Sequence, residues 1–355
     1  MMSEKVLMKG NEVLAESAMR AGCKYFFGYP ITPQTELSAY MSKHMPKIGG
    51  TFLQAESEVA AINMVYGASA AGARVMTSSS SPGISLKSEG VSYLAGADLP
   101  AVIINVMRGG PGLGSIQPSQ SDYWQATKAL GHGDFQMVVY APSTVQEMAD
   151  YVAKAFDVAD EYRTPVMILL DGLLGQMMEP VELPEPRQSI PEKPWACTGT
   201  KGEREHNVAN SLYLDAALLD QNNRERYERY DKIKASEQVS EEYLCDDADI
   251  VIVAFGAAAR IARNAVNAAR EQGIKAGLFR PITLWPFPVD ALEQTISHAK
   301  GYLTVEMNMG QMVDDVRLVV AGRAPVEFYG RTGGVIPTPD EVLDAIVAFD
   351  QKVGE

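Results

Sequence analysis

The chain has 355 residues, of which 45 are acidic and 31 basic, giving a formal net charge of −14. That balance excludes nucleic acid and anionic membrane as main partners, since both demand a basic face. With 46% apolar and 21% charged residues it reads as a soluble globular chain with room for two α/β cores. No run of about 18 apolar residues suggests a membrane span. The start, MMSEKVLMKGNE, lacks the apolar stretch of a signal peptide, so the expectation is a cytoplasmic protein. Cys23, Cys197 and Cys245 form no C-x-x-C, and His44, His132, His206 and His298 are equally scattered. Neither an iron–sulfur cluster nor a zinc site is therefore expected from this chain's own residues.

Residues 5–22 read as a strand fragment followed by a helix that ends at Gly22. An apolar strand over 25–27 opens at Gly28 into the turn Y-P-I-T-P. A hydroxyl followed by proline predicts a helix starting near Thr32 and Pro33, with Thr32 as its N-cap. Such a helix end is itself an anion site. Over 52–83 the pattern predicts a short extended run and then a helix carrying Glu56 and Glu58 near its start. Val59, Ile62, Asn63, Tyr66 and Ala70 form its stripe, and Gly72 its end. The small residues Ala60, Ala61, Gly67, Ala68 and Ala71 let a backbone or a flat ligand approach closely. The other reading of Glu56 and Glu58 is that their carboxylates complement the helix macrodipole. A strand over 74–77 then breaks into a Ser-rich loop closed by Pro82 and Gly83.

After a further helix, a buried strand over 101–106 carries Arg108 at its carboxyl end, where open parallel sheets bind ligands. A guanidinium there can hold a planar carboxylate through two parallel bonds, although a salt bridge at a loop root is the other reading. The following G-G-P-G-L-G is no phosphate loop, because it lacks G-K-[ST] and its proline removes a donor amide. His132, within G-H-G-D, reads as structural. Strands over 138–140 and 166–170 flank an amphipathic helix over 145–161 and complete a parallel-sheet domain, residues 1–180. Prolines at 180, 184, 186, 191 and 194 mark a linker, which with the charged helical stretch up to Cys245 forms the segment 181–247. No heptad pattern lasts long enough there for a coiled coil. A second α/β unit occupies 248–355, and Gly256 is followed only by alanines, so G-x-G-x-x-G is absent and a dinucleotide site is disfavoured.

The order Glu58, Gly67-Ala68, Gly72, strand, T-S-S-S-S-P-G resembles the pyrimidine-binding domain of thiamine-diphosphate enzymes. Together with Y-P-I-T-P-Q-T-E-L and N-V-M-R-G-G-P-G-L-G it is similar to the α subunit of multisubunit 2-oxoacid:ferredoxin oxidoreductases, among them the 2-ketoisovalerate type. The fold this resemblance implies is α/β, a pyrimidine-binding domain with helices on both faces of a parallel sheet, followed by a transketolase C-terminal-like α/β domain. It implies that Glu58 is the catalytic glutamate on the aminopyrimidine ring, that Tyr29, Pro30 and Ser81 contact the cofactor, and that Thr32 and Arg108 bind the 2-oxo acid. Diphosphate-binding residues of the G-D-G type are missing. The resemblance thus implies a β subunit bringing diphosphate, Mg2+ and a [4Fe-4S] cluster, with γ and ferredoxin-like subunits, coenzyme A as co-substrate and ferredoxin as electron acceptor. Pyruvate or 2-oxoglutarate as substrate, a non-redox thiamine-dependent transferase or decarboxylase subunit, and a noncatalytic assembly module are the alternatives left open.

Overall fold

A computed structural model describes residues 5–354. The first part of the chain runs β1 (Val6–Lys9), α1 (Gly10–Arg20), β2 (Tyr25–Gly28), α2 (Thr35–His44), β3 (Thr51–Gln54), α3 (Glu58–Ala70), β4 (Val75–Ser79), α4 (Ser81–Gly96) and β5 (Ala101–Met107). It continues through β6 (Val138–Tyr140), α5 (Val145–Tyr162), β7 (Pro165–Asp171), α6 (Gly172–Gln176), β8 (Met178–Val181) and the long helix α7 (Ala216–Ser236). The second part comprises β9 (Ser240–Tyr243), β10 (Ile250–Val253), α8 (Gly256–Glu271), β11 (Ala276–Pro281), β12 (Thr283–Trp285), α9 (Val289–Thr295), β13 (Gly301–Glu306), α10 (Met312–Val320), β14 (Val326–Gly330) and α11 (Pro339–Gly354).

Two larger sheets organise these elements. Seven strands lie in the order β12-β6-β7-β5-β4-β2-β3, parallel throughout except for β12. Five lie in the order β14-β13-β10-β11-β9, parallel except for β9. Strands β4, β5 and β7 are buried at every residue, as helices on both faces of a parallel sheet require. On one face α5 presents Val145, Met148, Val152 and Phe156 to the core, its first turn capped by the Thr144 hydroxyl, which accepts from the Glu147 amide. On the other face α3 and α4 pack together over β4 and β5.

Several local expectations are corrected. The helix after the Y-P-I-T-P turn begins at Thr35, so Thr32 lies in the turn and is not an N-cap. The Ser-rich loop does not exist as a loop, because β4 runs through Ser79 and Ser81 and Pro82 already form the first turn of α4. Proline suits that position, where an amide would have had no helical partner. Helix α3 matches the expected phase only in part: its buried residues are Glu58, Ala61, Ile62, Val65, Ser69 and Ala70, so Ile62 and Ala70 of the expected stripe are buried while Val59 is 45% exposed. Glu56 lies outside the helix, whose cap is the Ser57 hydroxyl accepting from the Ala60 amide at 3.1 Å.

The two sheets are joined by more than a linker. Strand β12, from the second half, pairs antiparallel with β6 at the edge of the seven-stranded sheet. Asp171, at the end of β7, accepts from the amides of Leu173 and Leu174 in α6 and from Ala257 in α8 at 3.0 Å. Gln120 donates to the Phe255 carbonyl at 2.8 Å and accepts from the Met307 amide at 3.0 Å. Arg280 grips both carboxylate oxygens of Glu147 and one of Glu241.

Candidate active site

The carboxyl ends of β2, β4 and β5 bring the expected site residues to one edge of the seven-stranded sheet. Glu58 stands in the first turn of α3 with its side chain turned inward, leaving it only 6% exposed. Among the described residues its carboxylate has no hydrogen-bond partner. It lies against the first turn of α4: a Cβ at Gly83 would stand 2.6 Å from Glu58 Oε1 and closer still to Ser79 Oγ. Only glycine fits there. The hydroxyls of Ser79 and Ser80 are buried and also lack partners.

Ser81 ties this end of α4 to β5. Its hydroxyl donates to Asp122 Oδ2 at 2.6 Å and accepts from the Arg108 amide at 3.1 Å. Asn105 donates to the same Asp122 oxygen at 2.9 Å. Burial raises the Asp122 carboxyl above its ordinary range, against the lowering effect of these two donors. Arg108 is 7% exposed and uses Nη1 on the Thr32 carbonyl and Nη2 on the Leu113 carbonyl, both at 3.1 Å. Its Nε is buried without a partner. The arginine is therefore not the salt-bridge residue that a loop root allows.

Tyr29 and Pro30 stand exposed on the rim, as does Thr32. Their turn is held by Gln34, which is fully buried, accepts from the Ser78 hydroxyl at 2.7 Å and donates to the Tyr29 carbonyl at 3.4 Å. Beside Ser81 and Asp122 opens a cavity of about 340 Å3, lined also by Pro111, Asn308, Met309 and Thr332 from both halves of the chain. No lysine or arginine is among its lining residues.

Sequence reasoning missed three groups here. Gln34 and Asp122 sat inside quoted motifs without a role, and polar residues in turns carry no signal of burial. The third is Lys87, on α4, whose amine is fully buried and donates to Thr77 Oγ1 at 2.7 Å and to the Ser78 carbonyl at 2.9 Å. His132, by contrast, lies outside this cluster, beside Tyr93 and Ser92.

Sheet topology, strand-end cluster and sequence now meet in known proteins. A family model described as pyruvate flavodoxin/ferredoxin oxidoreductase, thiamine-diphosphate-binding, matches residues 16–242, and one described as pyruvate:ferredoxin oxidoreductase core domain II matches 248–342. The chain belongs to this family of 2-oxoacid:ferredoxin oxidoreductase subunits. The ketoisovalerate oxidoreductase subunit VorB of Methanothermobacter thermautotrophicus is 50% identical over 96% of each chain. The 2-oxoglutarate synthase subunit KorA of the same organism is 36% identical over 99% of this chain and 100% of its own length. Among solved structures, the 2-oxoglutarate:ferredoxin oxidoreductase of Magnetococcus marinus, with 2-oxoglutarate, coenzyme A and succinyl-CoA bound, superposes with a TM-score of 0.88 at 27% identity. The match covers 98% of this chain, which spans 65% of that one. A split-gene transketolase shares the fold at a TM-score of 0.61 and 15% identity, over 96% of this chain and 97% of its own. The protein is an oxidoreductase subunit that works within a multisubunit enzyme. No helix among the described residues is long and apolar enough to cross a membrane.

Proposed function

We propose that this chain supplies the pyrimidine-binding half of a thiamine-diphosphate site and that the assembled enzyme oxidatively decarboxylates a branched-chain 2-oxo acid, ketoisovalerate, to its acyl-coenzyme A. The observation that carries the reading is the Glu58 carboxylate: buried, unpartnered among the described residues, and facing the open strand ends against a glycine that admits no side chain. A lone buried carboxylate is costly unless a ligand answers it, and a protonated or donor ring nitrogen does so. The residues thus fit the aminopyrimidine end of the cofactor. When bound, thiamine diphosphate supplies the carbon nucleophile for cleavage beside a 2-oxo group.

Glu58 would accept the hydrogen bond from the ring nitrogen and hold the proton at that atom. Tyr29, Pro30 and Ser81 border the ring system. Thr32 and Arg108 hold the substrate, Arg108 through N–H donors left over from its bonds to the Thr32 and Leu113 carbonyls. Residues 1–180 act as the pyrimidine domain, 248–355 as the transketolase C-terminal-like domain, and 181–247 as their linker. Among the described residues no group of three or more His, Cys, Asp or Glu is arranged to hold a metal. We therefore assign diphosphate, Mg2+ and the [4Fe-4S] cluster to a β subunit, with γ and ferredoxin-like subunits passing electrons to ferredoxin, all in the cytoplasm.

One fact favours ketoisovalerate over 2-oxoglutarate: identity is higher to the VorB proteins, 50% and 49%, than to KorA, 36%. The test is anaerobic viologen reduction by the complex co-expressed with its candidate partners, given thiamine diphosphate, magnesium, coenzyme A and a panel of 2-oxo acids. Fastest turnover of ketoisovalerate is expected. Preference for pyruvate or 2-oxoglutarate would overturn the substrate, and near-normal turnover by Glu58→Ala would overturn the site.

A further inference from the structure

The run from Gln117 to Asp122 holds Arg108 at both of its ends and is itself held in the middle. At one end Pro118 forms an antiparallel bridge with Arg108, and the Gln117 carbonyl accepts from the Gly109 amide at 3.0 Å. At the other, Asp122 accepts from the Ser81 hydroxyl at 2.6 Å, and that hydroxyl accepts from the Arg108 amide at 3.1 Å. Between them lies Gln120, fully buried, with all four of its hydrogen-bonding groups spent on the second half of the chain. Its side chain donates to the Phe255 carbonyl at 2.8 Å and accepts from the Met307 amide at 3.0 Å. Its backbone donates to the Met307 carbonyl at 2.9 Å and accepts from the Asn308 side chain at 2.8 Å.

Uniting two sheets does not call for such a residue. Apolar packing does it without the penalty that follows when one partner of a buried polar group is lost. What a fully satisfied polar network adds is a single defined arrangement. We propose that Gln120 is a positioning residue for Arg108: it seats the 117–122 run on the second half of the chain, so that the guanidinium stands ready before the 2-oxo acid arrives and substrate binding is set from across the junction. Its role rests on Arg108 being the residue that holds the substrate carboxylate, as proposed above.

The socket for Gln120 is itself fixed. Glu306, fully buried at the end of β13, accepts from the amides of Gln311, Met312 and Val313 and from Asn308 Nδ2. The segment 307–311 is thereby tied down, and it meets the neighbours of Gln120 as well: Gln311 donates to the Ser121 carbonyl and accepts from the Trp124 amide, both at 2.8 Å. Toward the site, Arg108 feels the placement of the loop at its guanidinium too, because Nη2 donates to the Leu113 carbonyl at 3.1 Å, inside the stretch that leads from Arg108 to Gln117. Holding an arginine in its binding geometry lowers the cost of ordering it when the ligand binds. A displaced 117–122 run therefore weakens substrate binding before it slows the chemistry.

The expected consequence is a split between KM and kcat. In the assembled complex, Gln120→Leu removes both side-chain bonds, and the KM for the 2-oxo acid turned over fastest should rise about tenfold with kcat within about threefold of native. Gln120→Glu is made alongside, since it keeps an acceptor for the Met307 amide but has no amide to offer Phe255. It should show the same split. Arg280→Met is the control: it cuts another tie between the halves, at Glu147, without touching 117–122, and its KM should stay native. A purely structural glutamine would lower thermal stability and leave KM in place, and that result in either folded Gln120 variant overturns the proposal, as does an equal rise of KM in Arg280→Met. Failure of both Gln120 variants to assemble would likewise assign the residue to the fold alone. Arg108→Gln is measured in parallel: a native KM there removes the substrate reading itself, whereas a raised KM beside unmoved Gln120 variants removes only the role of Gln120.

Discussion

The two parallel sheets end in opposite ways. At the carboxyl ends of the five-stranded sheet, strong polar groups are answered from within the chain. Glu306, fully buried at the end of β13, accepts from the amides of Met312 and Val313 and from Asn308, and the start of α8 is met by Asp171 and Gln120. At the same edge of the seven-stranded sheet, the hydroxyls of Ser79 and Ser80 and Nε of Arg108 are left unanswered. Since an unpaired buried polar group costs roughly 1–3 kcal/mol, the first edge is built for stability and the second spends stability on a site. Both edges satisfy the rule that places ligands beyond the strand ends of open α/β sheets. Only one keeps its polar groups free to obey it.

Exchanging small side chains at equivalent places separates the two edges. Gly83→Ala drives a methyl group into Glu58 and Ser79, so turnover in the viologen assay should fall at least ~100-fold, as displacements near 1 Å at a reacting centre do. Thermal stability should change little by comparison. Gly256→Ala, at φ +55° with Gln120 Nε2 3.0 Å and Asp171 Oδ2 3.1 Å from the new methyl, should do the reverse and lower stability with modest loss of turnover per assembled complex. Next in size, Asp171→Ala strands three amides at once, those of Leu174 and Ala257 in buried bonds, and should cost about 3 kcal/mol in a denaturant titration. Smallest is Val59→Ser, on the exposed side of α3, which should stay within about 0.5 kcal/mol of the native chain by thermal melting. A large loss there would return the helix to the phase expected from its pattern.

The phase of α3 was only partly legible, for a physical reason. Helix α3 has alanine, glycine or another small residue around most of its circumference, so it lacks the polar stripe from which a buried face is normally inferred. Strands β5 and β7 were legible because continuous apolar runs have no other soluble use, and Arg108 was legible because it follows such a run. Lys87 was not: S-L-K-S-E reads as a solvent face, and the one available clue was its four-residue spacing from a glycine that needs close approach. Strand β12 was hidden by the prolines around it in R-P-I-T-L-W-P-F-P, since proline is tolerated at a sheet edge but argues against a central strand. The cluster as a whole was found by resemblance, whereas its internal bonds through Gln34, Ser81 and Asp122 appear only when the elements are assembled in space.

Strand β12 also says something about motion and solubility. An open β6 would offer a row of free amides and carbonyls to any passing chain, which is how sheets aggregate. Instead the second half of the same polypeptide covers it, through Thr283 to Tyr140 and Trp285 to Val139. The halves are thus stitched by a shared ladder, and they cannot swing apart like jaws without tearing it. What remains open is the cavity between the halves, where Met309, 74% exposed, stands across from Ser81 and Pro111.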